Sequence, residues 1–97
     1  MLIKIHESYR NIVAVCDSEL VGKRFEEGNS QIEIGSFFGN DEKTEEEVLA
    51  IIKEADRDDA TFNIVGEQSC KIALKAGIIN EKGIKRIQGI PVALTLL

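Results

Sequence analysis

Cys16 is followed directly by Asp17 at the end of an apolar run, and the chain carries a single histidine, His6. These residue types could build a nucleophilic centre, because a thiol becomes reactive when a base in hydrogen-bond reach raises its thiolate fraction. The local pattern argues against it. "LIKIHE" alternates apolar and polar residues and reads as a half-buried strand, while "NIVAVC" is apolar almost throughout and reads as a strand buried on both faces. With a turn at residues 8–11 the two form an antiparallel hairpin, and Cys16 falls opposite a residue between 2 and 4. His6 then lies two to four positions further along, an offset of roughly 7–13 Å. The expectation is a buried strand thiol and no catalytic residue.

Asp17 and Ser18 end the strand with side chains that accept nearby backbone N–H groups, which suits a turn or helix cap. The competing reading is a carboxylate presented at a strand end, where open sheets place functional groups. "GKR" at residues 22–24 leaves Lys23 as a candidate contact. It is not a phosphate loop, because the earlier glycine and the following Ser or Thr are both missing. In "NIVGEQSC" a strand passes through Gly66 into a helix. Asn63 is a polar residue inside an apolar strand, and Glu67 stands at the helix start, where it would repel an anion. "GSFFGND" sets Phe37 and Phe38 between glycines. Consecutive residues of an extended segment point to opposite sides, so one of the pair is expected at the surface, for a partner or for base stacking.

Cys16 and Cys70 are far apart and form no CxxC pair, and one histidine is too few for a zinc site. No metal and no cofactor are expected. The net charge is -5, unevenly spread: residues 40–59 hold nine acids against three bases, whereas residues 70–97 hold Lys71, Lys75, Lys82, Lys85 and Arg86 against Glu81. Overall acidity argues against generic nucleic-acid binding, and the basic C-terminal part, with Lys85 and Arg86, leaves a local patch.

The elements that must position these residues are legible in outline. Thr44 and Glu47 have capping-box spacing, and Val48, Ile51, Ile52 and Ala55 share one helical face, so residues 44–55 form a helix. "TFNIV" is a strand, "GEQSCKIALKAG" a second helix ended by Gly77, "IKRIQ" a strand, and "PVALTLL" a last strand at the sheet edge. "SELVGKRFEEG" is ambiguous, and "QIEIG" reads as a strand. Strand 61–65, helix 67–76 and strand 84–88 suggest a parallel crossover. The 97 residues fit one domain, spanning 1–97. The fold class is α+β, a mixed, mostly antiparallel sheet of five to six strands with two helices mainly on one face. No apolar run is long enough to span a membrane, and the N-terminus lacks signal-peptide character, so a cytoplasmic protein is expected.

"AVCDSELVGK" at residues 14–23 and "NIVGE" at 63–67, together with "SFFG" and "IQGIP", resemble a family of small archaeal proteins catalogued as domain of unknown function 424. The resemblance covers nearly the whole chain. The family pattern continues after "GIP" with a histidine, where this chain has Val92, so no role of that histidine carries over. The family has no established activity. The resemblance implies an archaeal, cytoplasmic origin, and a link to RNA or the translation machinery is compatible with it.

The residues taken together favour a non-enzymatic binding or adaptor module with a protein or ribonucleoprotein partner, resting on a basic C-terminal region near an aromatic, glycine-rich loop. Two other readings stand beside it. One is a ligand-binding protein or enzyme with Asp17, Asn63 and Glu67 around a strand-end pocket. The other is a homodimer joined through the C-terminal strand.

Overall fold

The structure is a computed structural model that describes residues 1–95. Strands β1 (Leu2–His6) and β2 (Ile12–Cys16) form the N-terminal hairpin. A 3₁₀ turn at Ser18–Leu20 leads into β3 (Arg24–Glu27) and β4 (Ser30–Glu33), and a second 3₁₀ turn at Ser36–Phe38 leads into α1 (Glu45–Arg57). Then follow β5 (Thr61–Val65), α2 (Glu67–Ala76), β6 (Ile84–Ile87) and β7 (Ile90–Thr95). The five-stranded sheet has the order β1-β2-β5-β7-β6, and only β2 and β5 are parallel. The fold is α+β, as the residues indicated. Among the described residues no helix is long and apolar enough to cross a membrane.

Both sheet faces are covered, each by a different kind of element. Ile3, Val13, Val15, Phe62, Ile64 and Ala93 pack against Val48 and Ile52 of α1 and Cys70, Ile72 and Ala73 of α2. The alternate residues Leu2, Ala14, Cys16, Val65 and Val92 pack against Leu20, Ile34 and Phe38, with Phe25 and Ile32 of the β3–β4 hairpin at the margin. The period-2 alternation of each strand therefore feeds two separate cores. Helix α1 starts on the expected capping box: Thr44 Oγ1 accepts from the Glu47 amide at 3.2 Å, and the Thr44 amide donates to Glu47 Oε1 at 3.0 Å. Helix α2 ends at Gly77 in the left-handed conformation, φ 77°.

Three expectations are corrected. The ambiguous stretch 18–28 is one 3₁₀ turn followed by β3, and β3 and β4 form a separate two-stranded sheet. The last strand is not at an edge: β7 is hydrogen-bonded to β5 on one side and, over Ile90–Ala93, to β6 on the other. Pairing along Ile90–Ala93 is therefore internal to the chain. Finally, β5 and β6 do run in the same direction across α2, but β7 returns between them, so the unit is a split crossover.

Candidate functional site

Asp17 extends the parallel β2/β5 ladder by one bond, its amide donating to the Val65 carbonyl at 3.1 Å. This places its carboxylate under the first turn of α2. Oδ1 accepts from the Ser69 amide at 2.8 Å and the Ser69 hydroxyl at 2.7 Å, and Oδ2 accepts from the Gln68 amide at 3.1 Å. The free N–H groups and positive end of the helix dipole are thus answered by a carboxylate from another strand. Asp17 is 2% exposed and Ser69 is fully buried. Asp17 is a cap, as its position suggested, but the helix it caps begins some fifty residues later. With both oxygens engaged inside the fold, it presents nothing to an outside partner.

Both thiols are buried. Cys16 is fully buried, and burial together with the neighbouring Asp17 charge pushes it up to about 11. Burial, with Asp17 and Glu67, pushes Cys70 up to about 11 as well, and its Sγ donates to the Pro91 carbonyl at 3.7 Å. Cys16 pairs with Leu2 and His6 with Ile12, so the offset between thiol and imidazole lies at the upper end of the expected range. His6 is occupied elsewhere: its ring stacks on Phe37 at 4.3 Å with 14° between planes, and its Nε2 donates to the Phe37 carbonyl at 2.7 Å. Phe37 is 40% exposed and Phe38 only 3%, so one of the pair is at the surface as expected, but the segment is a 3₁₀ turn and not extended.

The remaining candidates scatter. Lys23 is exposed and takes part through its backbone, donating to Leu20 and accepting from Ile34. Asn63 lies mid-strand between Ala14 and Leu94, on the hairpin-facing side of the sheet. Glu67 leaves the opposite side and meets Arg86 Nη1 at 2.8 Å. Asp17, Asn63 and Glu67 therefore share no pocket. The aromatic loop and the basic region are also apart. Phe37 sits on β1 and Lys85 and Arg86 sit on β6, the two opposite edges of the sheet, about 19 Å apart at the usual strand spacing.

What the structure does bring together surrounds β6. Ile84 and Arg86 line a groove of about 670 Å³ against α2, whose apolar surface comes from Cys70, Leu74 and Pro91. Lys85 and Ile87 line a groove of about 420 Å³ on the other face, against Gln31 and Ile32 of the hairpin and Leu94. Among the described residues, Lys85 is the only charged one lining that second groove, and Leu94 is 55% exposed. Among the described residues Lys71, Lys82 and Lys85 make no ion pair. The turn residues Gln88 and Gly89, with φ of 51° and 79°, set the hairpin in place. The Gln88 side chain accepts from the Glu26 amide, and its own amide donates to Glu27 Oε1. Sequence reasoning marked Lys85 and Arg86 but not the grooves. Gln88 and Gly89 between two apolar runs were readable as a turn joining β6 to β7, whereas the edge position of β6 follows from the pairing of β7 with β5.

A solved structure described as an uncharacterized conserved protein from Methanopyrus kandleri has the same fold, with a TM-score of 0.85 and 23% identity over 97% of this chain and 88% of that one. No curated protein matches the sequence. Residues 6–96 match the family described as protein of unknown function DUF424, and the chain belongs to that family.

Proposed function

We propose that this protein is a non-enzymatic binding module, an adaptor whose docking surface is the β6 edge of the sheet. One observation carries the reading: successive side chains of a single edge strand open into two grooves on opposite faces, with Lys71, Lys82 and Lys85 beside them unpaired among the described residues. An edge strand with lateral grooves is a surface that recognises another chain by backbone and side chain together. The raised thiols and the tied imidazole accord with a protein that binds and does not catalyse. The partner is a cytoplasmic protein or ribonucleoprotein assembly. Affinity capture from the native cell, with and without nuclease, tests this with the wild type beside Lys85→Glu. A partner retained by the wild type and lost with the variant supports the reading, and nuclease treatment separates protein-held from RNA-held partners. Equal capture by both forms overturns it.

A further inference from the structure

The backbone of β6 has a defined free side. In a hairpin closed by two turn residues, Ile87 and Ile90 exchange their backbone bonds, so Lys85 and Val92 do the same two residues on. The intervening residues Ile84 and Arg86 then aim their backbone groups away from β7. Two details agree with this: Pro91, which lacks an N–H, stands opposite Arg86, and its carbonyl instead accepts from the Gly66 amide on the β5 side. The Ile84 amide already donates to Glu81. The Arg86 amide and carbonyl and the Ile84 carbonyl therefore face outward from the sheet.

Side-chain alternation divides the chemistry of this edge. The groove shared by Ile84 and Arg86 mixes apolar surface from Cys70, Leu74, Ile84 and Pro91 with four charged residues, Glu67, Lys71, Glu81 and Arg86, whose charges sum to zero, Arg86 being paired with Glu67. Among the described residues, the groove shared by Lys85 and Ile87 holds one cation and no carboxylate. An added strand would send alternate side chains into each. From this geometry we infer that the β6 edge receives an extended peptide of alternating acidic and apolar residues as a sixth strand, the apolar ones toward α2 and the acidic ones toward Lys85. This names the partner class for the docking surface proposed above and rests on that reading. A second copy of the chain fits poorly, because antiparallel pairing of β6 with itself sets Lys85 and Arg86 against their own counterparts.

The test uses the wild-type protein and a short synthetic peptide of alternating Val and Glu. An alternating Val/Lys peptide and a single-stranded oligouridylate serve as the other arms. NMR titration and amide exchange are read together. Strand addition predicts that the Val/Glu peptide shifts Lys85 and Leu94 and slows exchange of the Arg86 amide by about tenfold or more, since a new interstrand bond closes it. Lys85→Glu, an exposed substitution, should weaken the Val/Glu peptide and favour the Val/Lys one. Three results overturn the inference: no response to the Val/Glu peptide at millimolar concentration, equal binding of both peptides, or shifts without slowing of the Arg86 amide. Shifts at Lys82 and Lys85 with oligouridylate alone also overturn strand addition, but leave the β6 edge standing as the docking surface. Shifts confined to other faces overturn both.

Discussion

The carboxylate of Asp17 occupies the space where a side chain on Gly66 would begin: a Cβ there would lie 2.3 Å from the Asp17 carboxyl carbon. Gly66 also holds φ 112° and ψ 159°, a conformation close to glycine-only. Asp17 and Gly66 lie in the two most distinctive stretches of the sequence, "AVCDSELVGK" and "NIVGE", and they meet at the ends of the parallel strands.

Gly66→Ala should therefore cost about 3 kcal/mol or more, from strain and clash together. Asp17→Ala leaves the Gln68 and Ser69 donors without their acceptor and should cost about 2–4 kcal/mol. The double variant should cost less than the sum, because the clashing partner is gone. Urea unfolding of the four proteins reads the coupling directly. Additive losses would show that the two residues do not meet as described.

The adjacent aromatics should behave oppositely. Phe38 fills the hairpin-side core, and Phe38→Ala should cost about 3–5 kcal/mol. Phe37 is partly exposed and stacks on His6, and Phe37→Ala should cost no more than about 1 kcal/mol. Similar losses for both would contradict the packing of this loop.

Neither cysteine should react with a thiol reagent near pH 8 while the protein is folded, since both thiols sit near 11 and both are buried. Modification by a chromogenic disulfide should track unfolding as denaturant rises. Rapid labelling of one thiol in buffer would place it at the surface.

Acid should loosen the fold through Glu42 and Glu47. Glu42 is held below the usual carboxylate range by its hydrogen bond from the chain's amino group and then by that from the Ser18 hydroxyl. Glu47 is lowered by the Thr44 amide and hydroxyl. A depressed folded-state pKa favours the ionised folded form, so this stability is present above the ordinary value of 4.5 and is lost as pH falls through the lower folded value. The melting-temperature gap between wild type and Glu42→Gln should be open at pH 7 and narrow below pH 4.5. A gap that widens on acidification would reverse the assignment.

The parts of this architecture legible in sequence are those whose physics is local. Thr44 and Glu47 are three residues apart and cap a helix on their own, and the alternation of "LIKIH" and the continuous apolar run "IVAVC" give the two strands, with their register only to within two residues. The misplacement of β7 has a different origin. "PVALTLL" has the composition of a strand, but composition says nothing about which neighbours flank it, and strand order depends on contacts between segments distant in the chain. β3 was obscure because "RFEE" buries little beyond Phe25 and lacks a clean alternation. The reading of Asp17 as a cap was recoverable from its type, but its true partner depends on the β2/β5 pairing. The link drawn between Phe37 and Lys85 failed for the same reason: both stand at sheet edges, and nothing local separates one edge from the other.

The insertion of β7 between β5 and β6 has a kinetic side. Until β7 docks, β6 has no sheet neighbour at all, and β5 has β2 alone. β7 also delivers Ala93 to the helix-side core and Val92 to the hairpin-side core. One strand closes both interiors in a single act, so neither can be finished ahead of the other. A chain wired in this way is expected to lose both interiors together when β7 leaves the sheet.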